Sequence, residues 1–189
     1  MAYVPYTRLG HVGITVCNLD RMVDFYCRVL GYMLSDRGVT FRGDELAFLS
    51  RDPNEHHQIV LGTGRPEGVP SQIIQLSLEL GSLADLRAMH DIISRENEVT
   101  DIQIRAHGIA FSMYFRDPEE NVIETFVASP WYVPAPAAVL FDFSISDAEI
   151  FDTVGKAVKQ KPGYKSYQQW RAEAAERMSM SGAWPGPRS

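Results

Sequence analysis

The chain has 189 residues, 45% of them apolar and 22% charged, with a net charge of −6 and two cysteines. This is the composition of a globular protein with one compact domain and an extension. The acidic balance, without any Lys/Arg stripe, argues against nucleic acid or anionic membrane as the main partner. No stretch approaches the ~20 apolar residues of a bilayer span. Met1 to Thr7 lacks a charged region followed by an apolar run, so no signal peptide is expected. The spacing of Cys17 and Cys27 suggests no disulfide framework, and a reducing, cytoplasmic setting is expected.

Along the chain, Val12, Ile14 and Val16 alternate with His11, Gly13 and Thr15, which predicts a strand over Leu9 to Val16. Asn18 and Asp20 are cap-type residues, and Met22, Phe25, Tyr26 and Val29 then form one apolar helix face. Gly31 ends that helix at C′. Three short apolar segments follow, Tyr32–Leu34, Leu46–Leu49 and Gln58–Leu61, separated by turn residues. A Gly/Pro-rich stretch from Gly62 to Gln72 reads as a linker. The same order then returns. A strand is predicted over Ile73–Leu80, and Ser82 caps a helix with the face Leu83, Leu86, His90 and Ile93. Strands follow at Ile102–Ile104, Ile109–Phe115 and Asn121–Val127.

The two units match at a constant offset: Asn18 and Leu19 fall 64 residues before Ser82 and Leu83, and Asp52-Pro53 falls 65 before Asp117-Pro118. Two copies suggest a pseudo-twofold domain in which two small sheets share one core. After Ser129 the pattern changes: Pro130, Pro134 and Pro136 interrupt an aromatic stretch, and helices are predicted near Ser146–Lys159 and Tyr167–Met178. Ser179 to Ser189 reads as a mobile tail. This extension could pack on the domain, cover a site or join subunits, and the sequence does not choose among these.

The repeat also works as a ruler. His11 in the first strand of unit one corresponds to Gln75 in unit two. Glu124, in the last strand of unit two, corresponds to Ile59 or Val60, depending on the offset. Four equivalent positions thus hold His, Gln, Glu and an apolar residue. Three of them can donate N or O ligands, which suits a divalent transition ion with open positions, and non-haem Fe(II) or Mn(II) prefer such sets. Taken singly, a strand histidine is more often a core residue and a strand glutamate more often a solvated one. Their shared repeat position favours metal. His56 and His57 precede the last strand of unit one, and one of them should face the same way as the pocket. His107 and Tyr114 belong to the long hairpin of unit two. These groups can move protons or orient an oxygen ligand, although His56-His57 also reads as an exposed turn and Tyr114 as core.

The run Leu9 to Val16 (LGHVGITV), the helix ending at Gly31, and the closing run Tyr114 to Glu124 (YFRDPEENVIE) resemble the vicinal-oxygen-chelate superfamily of glyoxalases, bleomycin-resistance proteins and type I extradiol dioxygenases. The resemblance covers about residues 8–133 and is nearest to small single-domain extradiol dioxygenases, whose relatives also carry a motif like Pro130-Trp131-Tyr132. It implies metal ligands at His11, Gln75 and Glu124, an acid/base at His57, and substrate contacts from His107 and Tyr114. At position 75 this chain departs from the dioxygenase pattern, which has a second metal histidine there. Gln is nevertheless a ligand in some glyoxalases.

The expected architecture is α+β: two βαβββ modules, residues 8–62 and 72–133 joined by a linker over 63–71, forming an open cupped β-sheet around a metal, with residues 134–189 as a C-terminal helical extension. The expected function is a metal-dependent extradiol-type dioxygenase using Fe(II), or another divalent ion such as Mn(II), on a small aromatic substrate and dioxygen. A homo-oligomer is expected. The alternatives are a metal-dependent isomerase, lyase or transferase on a vicinal-oxygen substrate, or a non-catalytic binder of aromatic ligands.

Overall fold

A computed structural model describes residues 5–180. Most of the expected mobile tail, residues 181–189, lies outside the described residues.

The chain begins with β1 (Val12–Val16), where alternation turns Ile14 and Val16 inward and leaves Gly13 and Thr15 exposed. Helix α1 (Leu19–Arg28) starts where the Asn18 side chain accepts from the Arg21 N–H, and it buries Leu19, Met22, Phe25 and Tyr26. Gly31 takes φ +73° as the helix closes, and the Tyr32 N–H returns to the Tyr26 carbonyl at 3.0 Å. That closure needs a left-handed residue between the two, which glycine adopts without steric cost. The chain continues through β2 (Met33–Val39), β3 (Glu45–Ser50) and β4 (Ile59–Thr63). The second unit follows the same order with β5 (Leu76–Glu79), α2 (Leu83–Ile93, capped by Ser82), β6 (Thr100–Ala106), β7 (Ala110–Arg116) and β8 (Val122–Ala128).

Each unit forms its own sheet, ordered β1-β4-β3-β2 in the first and β6-β7-β8-β5 within the second. In each, the first strand pairs parallel with the last and the remaining pairs are antiparallel. The expected paired βαβββ architecture is present. The register also settles the fourth corner of the repeat. Gly13 pairs with Val60 as Ser77 pairs with Glu124, so Val60 is the counterpart of Glu124.

Strand β5 is shorter than the predicted Ile73–Leu80, and β6 is longer than Ile102–Ile104. In β6 the polar residues between the apolar ones take part in the ladder, so hydrophobicity alone understates its length.

The C-terminal segment is integrated into the fold. Strands β9 (Trp131–Tyr132) and β10 (Val139–Leu140) come first, and β10 extends the second sheet beyond β6. Helix α3 (Asp147–Lys159) opens with a Ser146/Glu149 capping box. It places Ile150, Val154 and Val158 in the same core as Phe25, Ile123 and Trp131. Each such burial contributes roughly 1.5–3 kcal/mol. Gly155 lets α3 approach Trp131 closely, since a Cβ there would lie 2.7 Å from the indole Cζ2. After β11 (Lys165–Ser166), which pairs with β9, α4 (Tyr167–Met180) places Trp170 in stacked contact with Tyr132 and Tyr167, at ring distances of 5.6 and 5.3 Å. Among the described residues no helix is long and apolar enough to cross a membrane.

Candidate metal centre

Period-two alternation in the second sheet puts Gln103, Arg105, Ser112, Tyr114, Glu124, Phe126, Ser77 and Glu79 on one face. Glu124, on β8, is 7% exposed and is the hub of that face. Its Oε1 accepts from the Tyr114 hydroxyl at 2.5 Å. Its Oε2 accepts from Ser77 Oγ at 2.6 Å and from Gln75 Nε2 at 3.0 Å. These hydrogen bonds satisfy a carboxylate that would otherwise be costly to bury.

Tyr114 pairs directly with Glu124 across β7 and β8. Burial first, then its bond to Glu124, pushes the phenol up to about 12. The same hydroxyl is 2.8 Å from His107 Nε2, and His107 Nδ1 lies 2.9 Å from the Ala137 carbonyl. A carbonyl only accepts, so Nδ1 carries a proton and a neutral ring turns the Nε2 lone pair toward the phenol. The single proton of Tyr114 can then serve Glu124 or His107, but not both at once. His107, Tyr114 and Glu124 form a relay that ends at the candidate metal position.

The other half of the site belongs to the first unit. His11 is exposed just before β1, and its ring lies 4.3 Å from that of His57. His57 Nδ1 shares a hydrogen bond of 2.9 Å with His56 Nδ1, and His56 Nε2 lies 3.1 Å from Asp36. Burial, followed by the His11 and His56 imidazoles, holds His57 below its ordinary value. The residues that carry this pair sit in a hairpin loop longer than its counterpart. Seven residues separate Ser50 from Gln58, whereas five separate Arg116 from Val122. Of the two histidines, His57 faces His11 and His56 turns to Asp36.

An open cleft of about 800 Å³ runs between β1 and β5, lined by His11, Gln75, Ser77, Glu79 and apolar residues including Leu78 and Met89. The structure therefore brings Gln75, Glu124, Tyr114 and His107 together, and puts His57 beside His11, which lines the cleft. No direct hydrogen bond joins His11 to Glu124 among the described residues. Sequence reasoning missed two members of the network, Ser77 and the Ala137 carbonyl. Ser77 was findable, because it lies two residues after Gln75 on the same strand face.

The donor chemistry fits a divalent ion. No hydrogen bond occupies either ring nitrogen of His11 or Oε1 of Gln75 among the described residues, and a carboxylate with three partners retains acceptor capacity. An imidazole, an amide oxygen and a carboxylate leave several coordination positions open. No group of three or more His, Cys, Asp or Glu gathers as a metal site among the described residues, and the third candidate donor here is an amide.

Comparison with known proteins identifies the family of this fold. The family model for the glyoxalase/bleomycin resistance protein/dioxygenase superfamily matches residues 8–125. Biphenyl-2,3-diol 1,2-dioxygenase 2 of Rhodococcus globerulus is 25% identical over 154 residues, which span 71% of this chain and 77% of that protein. Biphenyl-2,3-diol 1,2-dioxygenase 3 of the same organism is 28% identical over 123 residues, 62% of this chain and 61% of that protein. Among solved structures, a glyoxylase/bleomycin resistance protein/dioxygenase domain from Frankia sp. EAN1pec matches with a TM-score of 0.55 at 20% identity, covering 66% of this chain and all of that one. A fosfomycin resistance protein, FosX, from Listeria monocytogenes, solved with Mn(II) and a sulfate ion, matches with a TM-score of 0.51 at 12% identity, covering 66% of this chain and 95% of that one. Members of this superfamily bind divalent metals. The repeat, its sheet order and the matched span establish that this chain belongs to the glyoxalase/bleomycin resistance protein/dioxygenase superfamily.

Proposed function

We propose that the chain is an extradiol-type dioxygenase that acts on a catechol-like aromatic, with Fe(II) held by His11, Gln75 and Glu124. The observation that carries this reading is the His107–Tyr114–Glu124 relay, with His57 beside His11. The similarity to two biphenyl-diol dioxygenases supports it. When bound, the ion supplies Lewis-acid chelation of two vicinal substrate oxygens and a binding position for dioxygen.

The protein's own groups do the rest. Glu124 presents a fixed, buried negative charge. Tyr114 remains protonated at any physiological pH and offers its hydroxyl as a donor. His107, locked by Ala137 on one side, holds the Tyr114 hydroxyl in place on the other. His57, beside His11, is placed to accept a proton from a substrate hydroxyl and to deliver it later to an oxygen atom. Phe48, whose ring lies 5.1 Å from that of His57 in an edge contact, limits where that imidazole can swing.

Anaerobic loading with Fe(II), followed by oxygen and a panel of catechols, tests this directly. The expected result is oxygen uptake together with the chromophore of an opened ring. Bound iron with no ring opening of any catechol would reject the proposal.

Gln75 supports a second reading. A neutral amide donor is compatible with a redox-inert ion serving an isomerase, lyase or transferase on a vicinal-oxygen substrate. Turnover with Zn(II) or Ni(II) and no oxygen uptake would select it.

A further inference from the structure

Four arginines are buried or half-buried among the described residues: Arg65, Arg87, Arg105 and Arg116. Three of them have carboxylate partners, Arg65 with Glu119, Arg87 with Asp147, and Arg116 with Asp101 and Glu120. Arg105 has none. Its Nε is buried without a hydrogen-bond partner, and no ion pair engages its guanidinium. Its guanidinium lies over the Tyr114 ring, whose centroid is 4.4 Å from Cζ. Stacking on a ring face leaves the N–H donors free. The residue directly opposite in the β6–β7 register is Ser112, a neutral hydroxyl that cannot neutralise the cation.

Leaving a half-buried cation unpaired carries a desolvation cost that a protein ordinarily removes by supplying an acid. The acid on this row of the sheet is Glu79. It lies three strands away, through Ser112 and Phe126, which puts the two backbones roughly 14 Å apart at a strand spacing of about 4.8 Å. Glu79 is too distant to be the resident partner.

We infer that Arg105 anchors an oxyanion of the substrate, and that the ligand is an aromatic ring bearing a carboxylate on the side away from the atoms held at Glu124. This rests on the reading of the site as a catechol-type pocket and narrows it to acidic aromatics. The placement suits such a ligand. Arg105 is two strands and one two-residue step from Glu124, so the Cα atoms are roughly 12 Å apart. Two long side chains reduce that span to about the length of one substituted ring. The planar guanidinium offers paired donors that match a carboxylate, and Tyr114 lies between the two ends to flank the ring.

Calorimetric titration of the metal-loaded protein with two matched pairs tests the inference. The pairs are 3,4-dihydroxybenzoate against catechol, and 4-hydroxybenzoate against phenol. The readout is the affinity ratio within each pair. The wild type should favour the carboxylated member about tenfold or more, as expected for charge-assisted hydrogen bonds in a partly dry site. Arg105→Gln should bring both ratios close to one, and Arg105→Lys should leave an intermediate ratio. Unchanged melting temperatures would show that both variants are folded. A wild-type ratio near one, or a preference that survives Arg105→Gln, overturns the inference. Ring cleavage of plain catechol without any carboxylate preference would remove the anchor and leave the dioxygenase reading standing. A carboxylate preference that depends on Arg105, in a protein that opens no ring, would do the reverse.

Discussion

Tyr114 and Glu124 face each other directly across β7 and β8, and the phenol donates to the carboxylate at 2.5 Å. Ionising the phenol would set two negative charges against each other in a half-buried place. The folded protein therefore keeps this proton up to about pH 12, whereas an unfolded tyrosine releases it near 10.0. As the pH rises from 10 toward 12, the unfolded chain loses the proton first, so the fold loses this part of its stability in that window. A spectrophotometric titration of wild type minus Tyr114→Phe should show a phenolate component near pH 12. A component at pH 10 would contradict the pairing. With Fe(II) loaded, Tyr114→Phe should lower turnover by about 10²-fold while metal content is retained.

Gln75 occupies the position equivalent to His11, and its amide already points a donor at Glu124. Gln75→His replaces a weak neutral donor with imidazole and should raise the Fe(II) content of the purified protein several-fold. Elemental analysis reads this out. An unchanged content would show that position 75 does not face the ion. Glu124→Ala should abolish metal binding.

Arg65 and Glu119 form the most buried ion pair among the described residues, each side chain 5% exposed, at 2.5 Å. Glu119 also accepts from the Cys17 and Asn18 N–H groups at the start of α1. Burial alone would raise the Glu119 carboxyl, but these bonds and Arg65 outweigh it and hold it below its ordinary value. A depressed carboxyl contributes stability above the unfolded value, and this contribution is lost as the pH falls through the folded one. Glu119→Ala should destabilise the protein by about 3–5 kcal/mol, because it strands the Arg65 cation. Its melting temperature should also lose part of the wild type's acid sensitivity. A loss under about 1 kcal/mol in denaturant titration would show that water reaches Arg65.

At Gly155, alanine would gain about 1 kcal/mol of helix propensity. Its methyl would also meet the Trp131 ring at 2.7 Å, and overpacking of that kind costs about 1–3 kcal/mol. The net expectation for Gly155→Ala is a lower melting temperature with altered tryptophan fluorescence, whereas alanines on the exposed side of α3 should raise it slightly.

Much of this molecule was legible in its sequence, because local chemistry and tertiary need agree there. The caps Asn18 and Ser82, the glycine at 31 and the 64-residue offset all mark real elements. The same offset, read through the strand register, pairs His11 with Gln75 and Glu124 with Val60. The parts that stayed hidden depend on what stands across a strand. Ser77 matters because Glu124 lies opposite it, and Arg105 because nothing acidic does. The spacing from Gln75 places Ser77 on the right face, but what stands opposite each residue appears only in the strand register. The polar alternation of Thr100 to Ala106 similarly conceals a strand whose register shifts between Thr100 and Gln103, since its hydrophobic signal is limited to Ile102 and Ile104.

The hydrogen bond from His107 to the Ala137 carbonyl breaks the symmetry of the frame. Duplication of one βαβββ unit produces a frame in which each half offers the same positions, and such a frame treats both sides of a ligand alike. Proton chemistry on an aromatic ring requires a difference between the sides. Here that difference comes from a segment with no counterpart in the repeat, which clamps one imidazole from outside the duplicated body. The segment outside the repeat is therefore tied to the candidate site, because Ala137 holds His107, His107 meets Tyr114, and Tyr114 donates to Glu124.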